Sequence, residues 1–267
     1  FGTTASNGPG GALVGGAAAF APGYPTTPDA VEATMDVFAD GISHTVVTVF
    51  SPDGTNLLYS TYLGGSHADI PHSLAYNETW GNIVLFGTTG SSNFPTTPGV
   101  VQPDLATGPA TDVDIYGVDT QPNGVDCYLA SFNGVDFTLE AATYFGGSGN
   151  DGQNKAAGLN ANFGDEYRGQ IDIGPDGSIW IATTTTSQDL NLPGSPAPAG
   201  SYDALVAGFS ADLSTLLCGR TFGGSAADAA YSVEVAPDNS FGAFGALQIL
   251  VGGGTLSSDL PLPGGSI

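Results

Sequence analysis

An all-β fold made of repeated four-stranded units is predicted by three observations on this 267-residue chain. One heptapeptide is written three times, each copy lies between two hairpin patterns, and no apolar pattern of helical period persists anywhere. Ser60-Thr61-Tyr62-Leu63-Gly64-Gly65-Ser66 returns as Ala142-Thr143-Tyr144-Phe145-Gly146-Gly147-Ser148. It returns again as Gly219-Arg220-Thr221-Phe222-Gly223-Gly224-Ser225, the copies lying 82 and 77 residues apart. Asp69, Asp151 and Asp228 each follow the Ser by three positions. Self-similarity at a long period marks a repeat architecture and points away from a single catalytic pocket.

The hairpin before each copy reads alike. Thr45 to Phe50 is a β-branched run, Ser51-Pro52-Asp53-Gly54 turns the chain, and Leu57 to Leu63 runs back. Pro presets φ at the second turn position, and Gly tolerates positive φ at the exit. The second hairpin runs from Cys127 to Phe132, turns near Asn133-Gly134 and returns through Phe137 to Phe145. The third runs from Ala204 to Phe209, turns at Ala211-Asp212 and returns through Leu216 to Phe222. His44, Asp126 and Asp203 open these hairpins. A second hairpin follows each Gly-Gly-Ser: Ser73 to Tyr76 with Asn82 to Thr88, Gln170 to Ile173 with Ser178 to Thr184, and Ser232 to Val235 with Ala246 to Gly252. Pro-bearing connectors close the units at Phe94-Pro95-Thr96-Thr97-Pro98, Leu192-Pro193 and Leu260-Pro261. Tyr24-Pro25-Thr26-Thr27-Pro28 is a further copy.

Four short strands per unit, with Gly and aromatic residues at fixed offsets, is the signature of a β-propeller blade. The expected division is a partial blade with an apolar insert and connector (1–45), a blade (46–102), an acidic insert (103–125), a blade (126–196) with its own insert (149–168), and a third blade (197–267). Gly64-Gly65, Gly146-Gly147 and Gly223-Gly224 are expected to bend the chain between the second and third strands of a blade, where a Cβ would clash. A β-sandwich with coincidental turns is the alternative, disfavoured by three aligned copies. Phe1-Gly2-Thr3-Thr4 aligns with Phe86-Gly87-Thr88-Thr89 as the last strand of a blade. About three blades and a loose strand fall short of the roughly 4–8 that close a propeller. The expected setting is therefore part of a larger propeller, in a longer polypeptide or one closed by assembly.

Ser51-Pro52-Asp53-Gly54 through Leu58-Tyr59-Ser60-Thr61-Tyr62-Leu63-Gly64-Gly65-Ser66, followed by Phe94-Pro95-Thr96-Thr97-Pro98-Gly99, resembles the bacterial SBBP-type β-propeller repeat. The resemblance covers most of 43–102 and extends more loosely over 126–196 and 203–264. The family commonly has a Lys before the last apolar residue of the first strand, where this chain has Val49, Ser131 and Gly208. The resemblance implies a large secreted or cell-surface bacterial protein, and no catalytic residues.

Charge narrows the partners. Three basic residues against 26 acidic ones give a formal net charge of −23. Such a chain is repelled by phosphate backbones, which excludes nucleic acid and anionic membranes as partners. Gly15 to Ala21 is too short and Gly-broken to span a bilayer. An extracellular, salt- or Ca²⁺-containing medium suits this composition, because screening shortens the self-repulsion. The two cysteines, Cys127 and Cys218, read as small buried hydrophobes in preference to a disulfide.

Function is sought in the insertions. Asp112, Asp114 and Asp119, with Asp104 and Asp126 nearby, could give oxygen ligands to Ca²⁺, although the spacing is not that of an EF-hand and a solvated acidic loop is the alternative. Residues 149–168 could bind a cation or a sugar, or form a surface flap. Asp69, Asp151 and Asp228 read most simply as caps accepting backbone N–H bonds at the Gly-Gly-Ser bend; the alternative is a carboxylate ring around a channel. His44, His67 and His72 read as ordinary polar residues. Leu13, Val14 and Phe20, in the apolar segment 8–22, are expected to pack on a neighbouring subunit, a flanking domain or the protein's own face. No nucleophile–base motif or cofactor motif is present, so no catalytic residue and no cofactor is expected. The expected function is a structural or adhesive component of an extracellular surface assembly, contacting protein partners or copies of itself. The alternatives are a glycan-binding module using Trp80, Tyr116, Tyr167 and Trp180 at loop tips, and a polysaccharide-acting enzyme.

Overall fold

The computed structural model describes residues 2–4, 23–35, 43–113, 119–192, 198, 200–237 and 247–260. The chain enters with β1 (Gly2–Thr4), β2 (His44–Phe50) and β3 (Leu57–Leu63), which form one antiparallel sheet in that order. β4 (Asp69–Asn77) and β5 (Asn82–Thr89) follow. A small hairpin of β6 (Thr111–Val113) and β7 (Asp119–Gln121) comes next, then β8 (Asp126–Asn133) and β9 (Leu139–Phe145). β4, β5, β8 and β9 form the second sheet. After the one-turn helix α1 (Phe163–Glu166), strands β10 (Gln170–Ile173), β11 (Ile179–Thr185), β12 (Asp203–Phe209) and β13 (Leu216–Phe222) form the third. β14 (Asp228–Pro237) and β15 (Leu247–Thr255) form the last. All pairings between named strands are antiparallel and no sheet closes into a barrel.

The sheets stack face to face in chain order, because period-2 alternation sends neighbouring residues to opposite faces. In the second sheet, Leu85, Tyr128, Ala130 and Phe132 meet Val47, Tyr59 and Leu63 of the first. The residues between them, Val84, Phe86, Cys127 and Leu129, meet Ile171, Ile179, Ile181, Leu205 and Phe209 of the third. In the third sheet, Trp180, Ala182, Ala204 and Val206 turn to Ala230, Val233 and Val235 of the last. Strands such as β11 (IWIATTT) are buried along their whole length, since both faces are covered. The leading strands β4, β10 and β14 also touch in succession.

The sheets fall half a unit out of phase with the sequence units. Each four-stranded sheet joins the hairpin after one Gly-Gly-Ser to the hairpin before the next. The Gly-Gly-Ser bend therefore links the last strand of one sheet to the first of the next, not strands two and three of one blade as the sequence suggested. The reason is local: the bend's N–H groups are taken by an Asp carboxylate, so the flanking strands part instead of pairing. Strand limits otherwise lie within a few residues of expectation. β9 starts at Leu139 because Phe137 sits in the turn at φ 60°, its ring stacked 5.2 Å from Tyr59.

The connectors lie along the outer strands. Thr27 N donates to Ser60 O, and Thr97 N to Ala142 O, each at 3.0 Å. The Tyr144 hydroxyl donates to Ser91 O at 2.6 Å and accepts from Phe94 N at 2.9 Å, tying connector to strand. Tyr144→Phe leaves these two backbone groups only their long mutual bond, Phe94 N to Ser91 O at 3.4 Å, and should destabilise the protein by roughly 1–2 kcal/mol in urea unfolding. An unchanged midpoint would show that the connector holds by apolar packing alone.

The 149–168 insert is built into the body. Gln153 Nε2 shares its two hydrogens among three oxygens, Asp112 O at 2.9 Å, Glu166 Oε1 at 2.7 Å and Tyr167 Oη at 2.8 Å. Lys155 Nζ lies 3.7 Å from the buried Glu166 Oε1, and Arg168 sits 4.5 Å over the Tyr231 ring of β14. Both cysteines are free; Cys127 is buried but Cys218 is exposed on β13, which corrects the expectation of two buried thiols.

Candidate functional site

The repeated chemistry is a buried clasp at each bend. Gly65 N donates to Asp69 Oδ2, Gly147 N to Asp151 Oδ2 and Gly224 N to Asp228 Oδ2, each at 2.8 Å. The other end of the clasp comes from the turn after the second strand of the same sheet. Ser91, Ser187 and Ser257 donate through Oγ to the same carboxylate oxygen at 3.2, 2.7 and 2.8 Å. Their Oγ atoms also accept from the backbone N–H two residues further along the bend, at His67, Gly149 and Ala226. Thr89 and Thr185 donate to the second oxygen of Asp69 and Asp151. Asn93, Asp189 and Asp259 accept from Ser66 N, Ser148 N and Ser225 N at 2.7–2.8 Å. Asp69, Asp151 and Asp228 are all buried.

Sequence reasoning isolated the Asp but missed its partners. They form a second repeated pattern, Thr-x-Ser-x-Asn/Asp: Thr89-Gly90-Ser91-Ser92-Asn93, Thr185-Thr186-Ser187-Gln188-Asp189 and Thr255-Leu256-Ser257-Ser258-Asp259. The three copies were there to find, but a pattern of common turn residues stands out only when aligned on the Gly-Gly-Ser frame.

A second buried side chain faces each bend from the strand start. An added Cβ at Gly146 would collide with Asp126 Oδ1 and come within 2.8 Å of Asp151 Oδ2. At Gly223 it would meet Asp203 and Asp228, and at Gly64 it would meet His44 and Asp69. Each first glycine is thus wedged between two polar side chains, and its missing Cβ makes the approach possible. In the middle clasp, Asp126 Oδ2 accepts from Gln102 Nε2 at 2.9 Å and Ala106 N at 2.8 Å. Burial and then the Asp151 charge push the Asp126 carboxyl up to about 8. Its proton belongs on Oδ1, which is buried without a hydrogen-bond partner. Burial also raises Asp151 and, further, Asp69. In the first clasp the strand-start residue is His44, whose Nε2–H donates to Gly65 O at 2.8 Å.

This arrangement locks a corner. The first Gly of each bend fills the space between two polar side chains, and Oδ2 of Asp69, Asp151 and Asp228 is engaged by the protein's own donors. Among the described residues, no group of three His, Cys, Asp or Glu is placed to hold a metal ion. The Ca²⁺ expectation on Asp112, Asp114 and Asp119 lies largely outside the described residues: Asp114 is outside, and Asp119 is described through its backbone alone. Asp112 is exposed and accepts from Thr120 Oγ1 at 3.1 Å across the β6–β7 hairpin. Leu13, Val14 and Phe20 also lie outside the described residues. The aromatics named for glycan contact do not converge: Trp180 and Tyr167 are buried in different clusters, Tyr116 is not described, and Trp80 stands exposed. His72 is half-buried, its ring packed against Phe86 and Tyr167, and this desolvation pulls its imidazole down to about 3, so it stays neutral.

The chain is an all-β protein of stacked antiparallel sheets whose corners are clasped by aspartates. No protein-family model matches it, and no curated protein does so either.

Proposed function

We propose that this chain is a structural or adhesive component of an extracellular bacterial surface assembly, its sheets being blades of a larger propeller that acts as a rigid display frame. The observation that carries the reading is the clasp, written three times with the same Gly and Ser hydrogen bonds to the carboxylate at each sheet-to-sheet corner. A frame whose corners are all fixed by buried side chains holds its outer loops at set distances, and such loops are where contact surfaces are grafted. Face-to-face stacking with the leading strands in succession supports the blade reading. The net charge of −23 supports a salt-rich, extracellular setting and a protein partner over a nucleic acid or an anionic membrane. The buried carboxyl pairs support a locking role over a hydrolytic one, since each lies against a bend glycine and its aspartate is hydrogen-bonded to the bend.

In this reading the apolar segment 8–22, with Leu13, Val14 and Phe20, carries contact with a second copy or another protein. Deleting residues 9–21 should abolish assembly in sedimentation velocity while the far-ultraviolet spectrum stays β-type. Assembly that survives the deletion, or a hydrolase activity lost in Asp126→Asn, would overturn the proposal.

A further inference from the structure

A cavity of about 350 Å³ opens between the turn ends of the second and third sheets, lined by Trp80, Asn82, Ser131, Glu140, Ser210 and Asp212. We propose that it receives a cationic side chain, a guanidinium or ammonium group carried by a basic partner polypeptide. This goes beyond the scaffold reading by giving the frame a specific contact chemistry.

Trp80 is the first observation. It is 63 % exposed, although a Trp in water leaves a large apolar surface uncovered. It is not part of the repeat: the corresponding turn of the third sheet is Gly174-Pro175-Asp176-Gly177, with no aromatic. Its position is nevertheless fixed. The indole edge lies against Gly177, and Asn77 Nδ2 donates to Gly177 O at 3.0 Å, holding the two turns together. An aromatic face fixed over a cavity suits cation–π contact.

The polar lining selects the charge. Asn82 Nδ2 donates to Ser131 Oγ at 3.0 Å and to Glu140 Oε2 at 2.8 Å, so both of its hydrogens are engaged within the wall. Asn133 Nδ2 donates to Glu140 Oε1 at 2.9 Å. Asp212 Oδ1 accepts from Ser210 Oγ at 2.6 Å, Ser214 N at 3.1 Å and Ser214 Oγ at 2.8 Å. These bonds hold the Asp212 carboxyl below its usual range, so it stays ionised. The hydrogens of Asn82 and Ser210 are thus turned inward, while carboxylate lone pairs and the Asn82 carbonyl remain for a ligand. A neutral sugar needs donors and acceptors together; a guanidinium or ammonium needs acceptors alone. The cation must come from elsewhere: the chain has three basic residues, Lys155 and Arg168 pair with Glu166 and Asp165, and Arg220 on β13 is not among the cavity's lining residues. The field of a −23 chain would concentrate basic partners around it.

The test is calorimetric titration of the full chain with a short peptide carrying one Arg between glycines, in parallel with a neutral oligosaccharide. Saturable peptide binding at 1:1 is expected. It should weaken about tenfold or more in each of Trp80→Ala, Glu140→Gln and Asp212→Asn. Asp53→Asn, which removes the matching carboxylate at the first sheet's turn, is the control and should leave affinity unchanged. Asp212→Asn is a surface change, and a melting temperature like that of the parent would separate loss of the site from loss of the fold. The proposal fails if peptide binding is absent or does not saturate. It also fails if Asp53→Asn weakens binding as much as Asp212→Asn, because the attraction is then diffuse. Trp80-dependent binding of the oligosaccharide in place of the peptide would make this a saccharide site and likewise overturn it.

Discussion

Acidification from about pH 8 to about pH 6.5 is expected to stabilise this protein, against the common pattern in which carboxylates destabilise a fold as they are protonated. Asp126 is pushed up from 3.8 to about 8 by burial and by Asp151 beside it. The folded state therefore keeps a proton that the unfolded chain releases near its ordinary value. Stability from this group is fully present below the unfolded value, falls as pH rises between the two, and is gone above about 8. Within that window each pH unit removes roughly 1.4 kcal/mol per such group. Asp69 and Asp151, also raised by burial, act with the same sign. The hydrogen-bonded Asp53, Asp136, Asp189, Asp212 and Asp259 are lowered and act with the opposite sign, but their contribution is lost only as pH falls below the ordinary Asp value; His72 and His67, lowered by burial, also oppose, but only below the ordinary His value of 6.5. Thermal unfolding at constant ionic strength from pH 6.5 to pH 8 checks this. The midpoint should fall with rising pH, and Asp126→Asn, which cannot release the proton, should flatten the slope by about one proton's worth. A slope unchanged in Asp126→Asn would mean that the effect comes from general repulsion.

Gly146→Ala should be among the most damaging single-methyl changes the chain can suffer, at about 2–4 kcal/mol. The new Cβ would collide with Asp126 Oδ1 and crowd Asp151 Oδ2, and neither can yield without breaking its own hydrogen bonds. Gly223→Ala should behave alike between Asp203 and Asp228. Gly54→Ala separates packing from backbone strain: Gly54 has φ +70° and open space around its Cβ position, so only the left-handed backbone opposes it, at about 1–2 kcal/mol. Pairing Gly146→Ala with Asp126→Ser should restore part of the loss, because the two positions share one volume. Chemical denaturation of the four variants provides the values. Equal losses for Gly54→Ala and Gly146→Ala would remove the clasp from the explanation.

The strands were legible because their causes are local. β-branched runs, Pro-Asp-Gly turns and period-2 alternation act over a few residues, so β2, β3, β8, β12 and β13 lie within one residue of where composition put them. The clasp was half legible. Asp69, Asp151 and Asp228 stood out by recurrence, whereas Ser91, Ser187 and Ser257 lie 22, 36 and 29 residues from the carboxylates they bind. The cavity at Trp80 was not legible at all. Asn82, Glu140 and Asp212 come together through the stacking of two sheets, and nothing in their separate contexts announces it.

The sequence by itself determined that the chain is β throughout, that it repeats, and that glycines and an aspartate recur at every corner. Those properties follow from backbone preference and short-range hydrogen bonding, which a linear pattern encodes directly. Tertiary structure decided which hairpins share a sheet. A repeating pattern looks the same wherever its units are cut, and the choice fell to long-range pairings such as Leu129 with Phe86 and Leu205 with Thr183. It also decided that Asp126 and Asp151, 25 positions apart, would meet across one glycine. Their altered acidity arises from shared burial, a property of the packed molecule that no segment of the chain possesses alone.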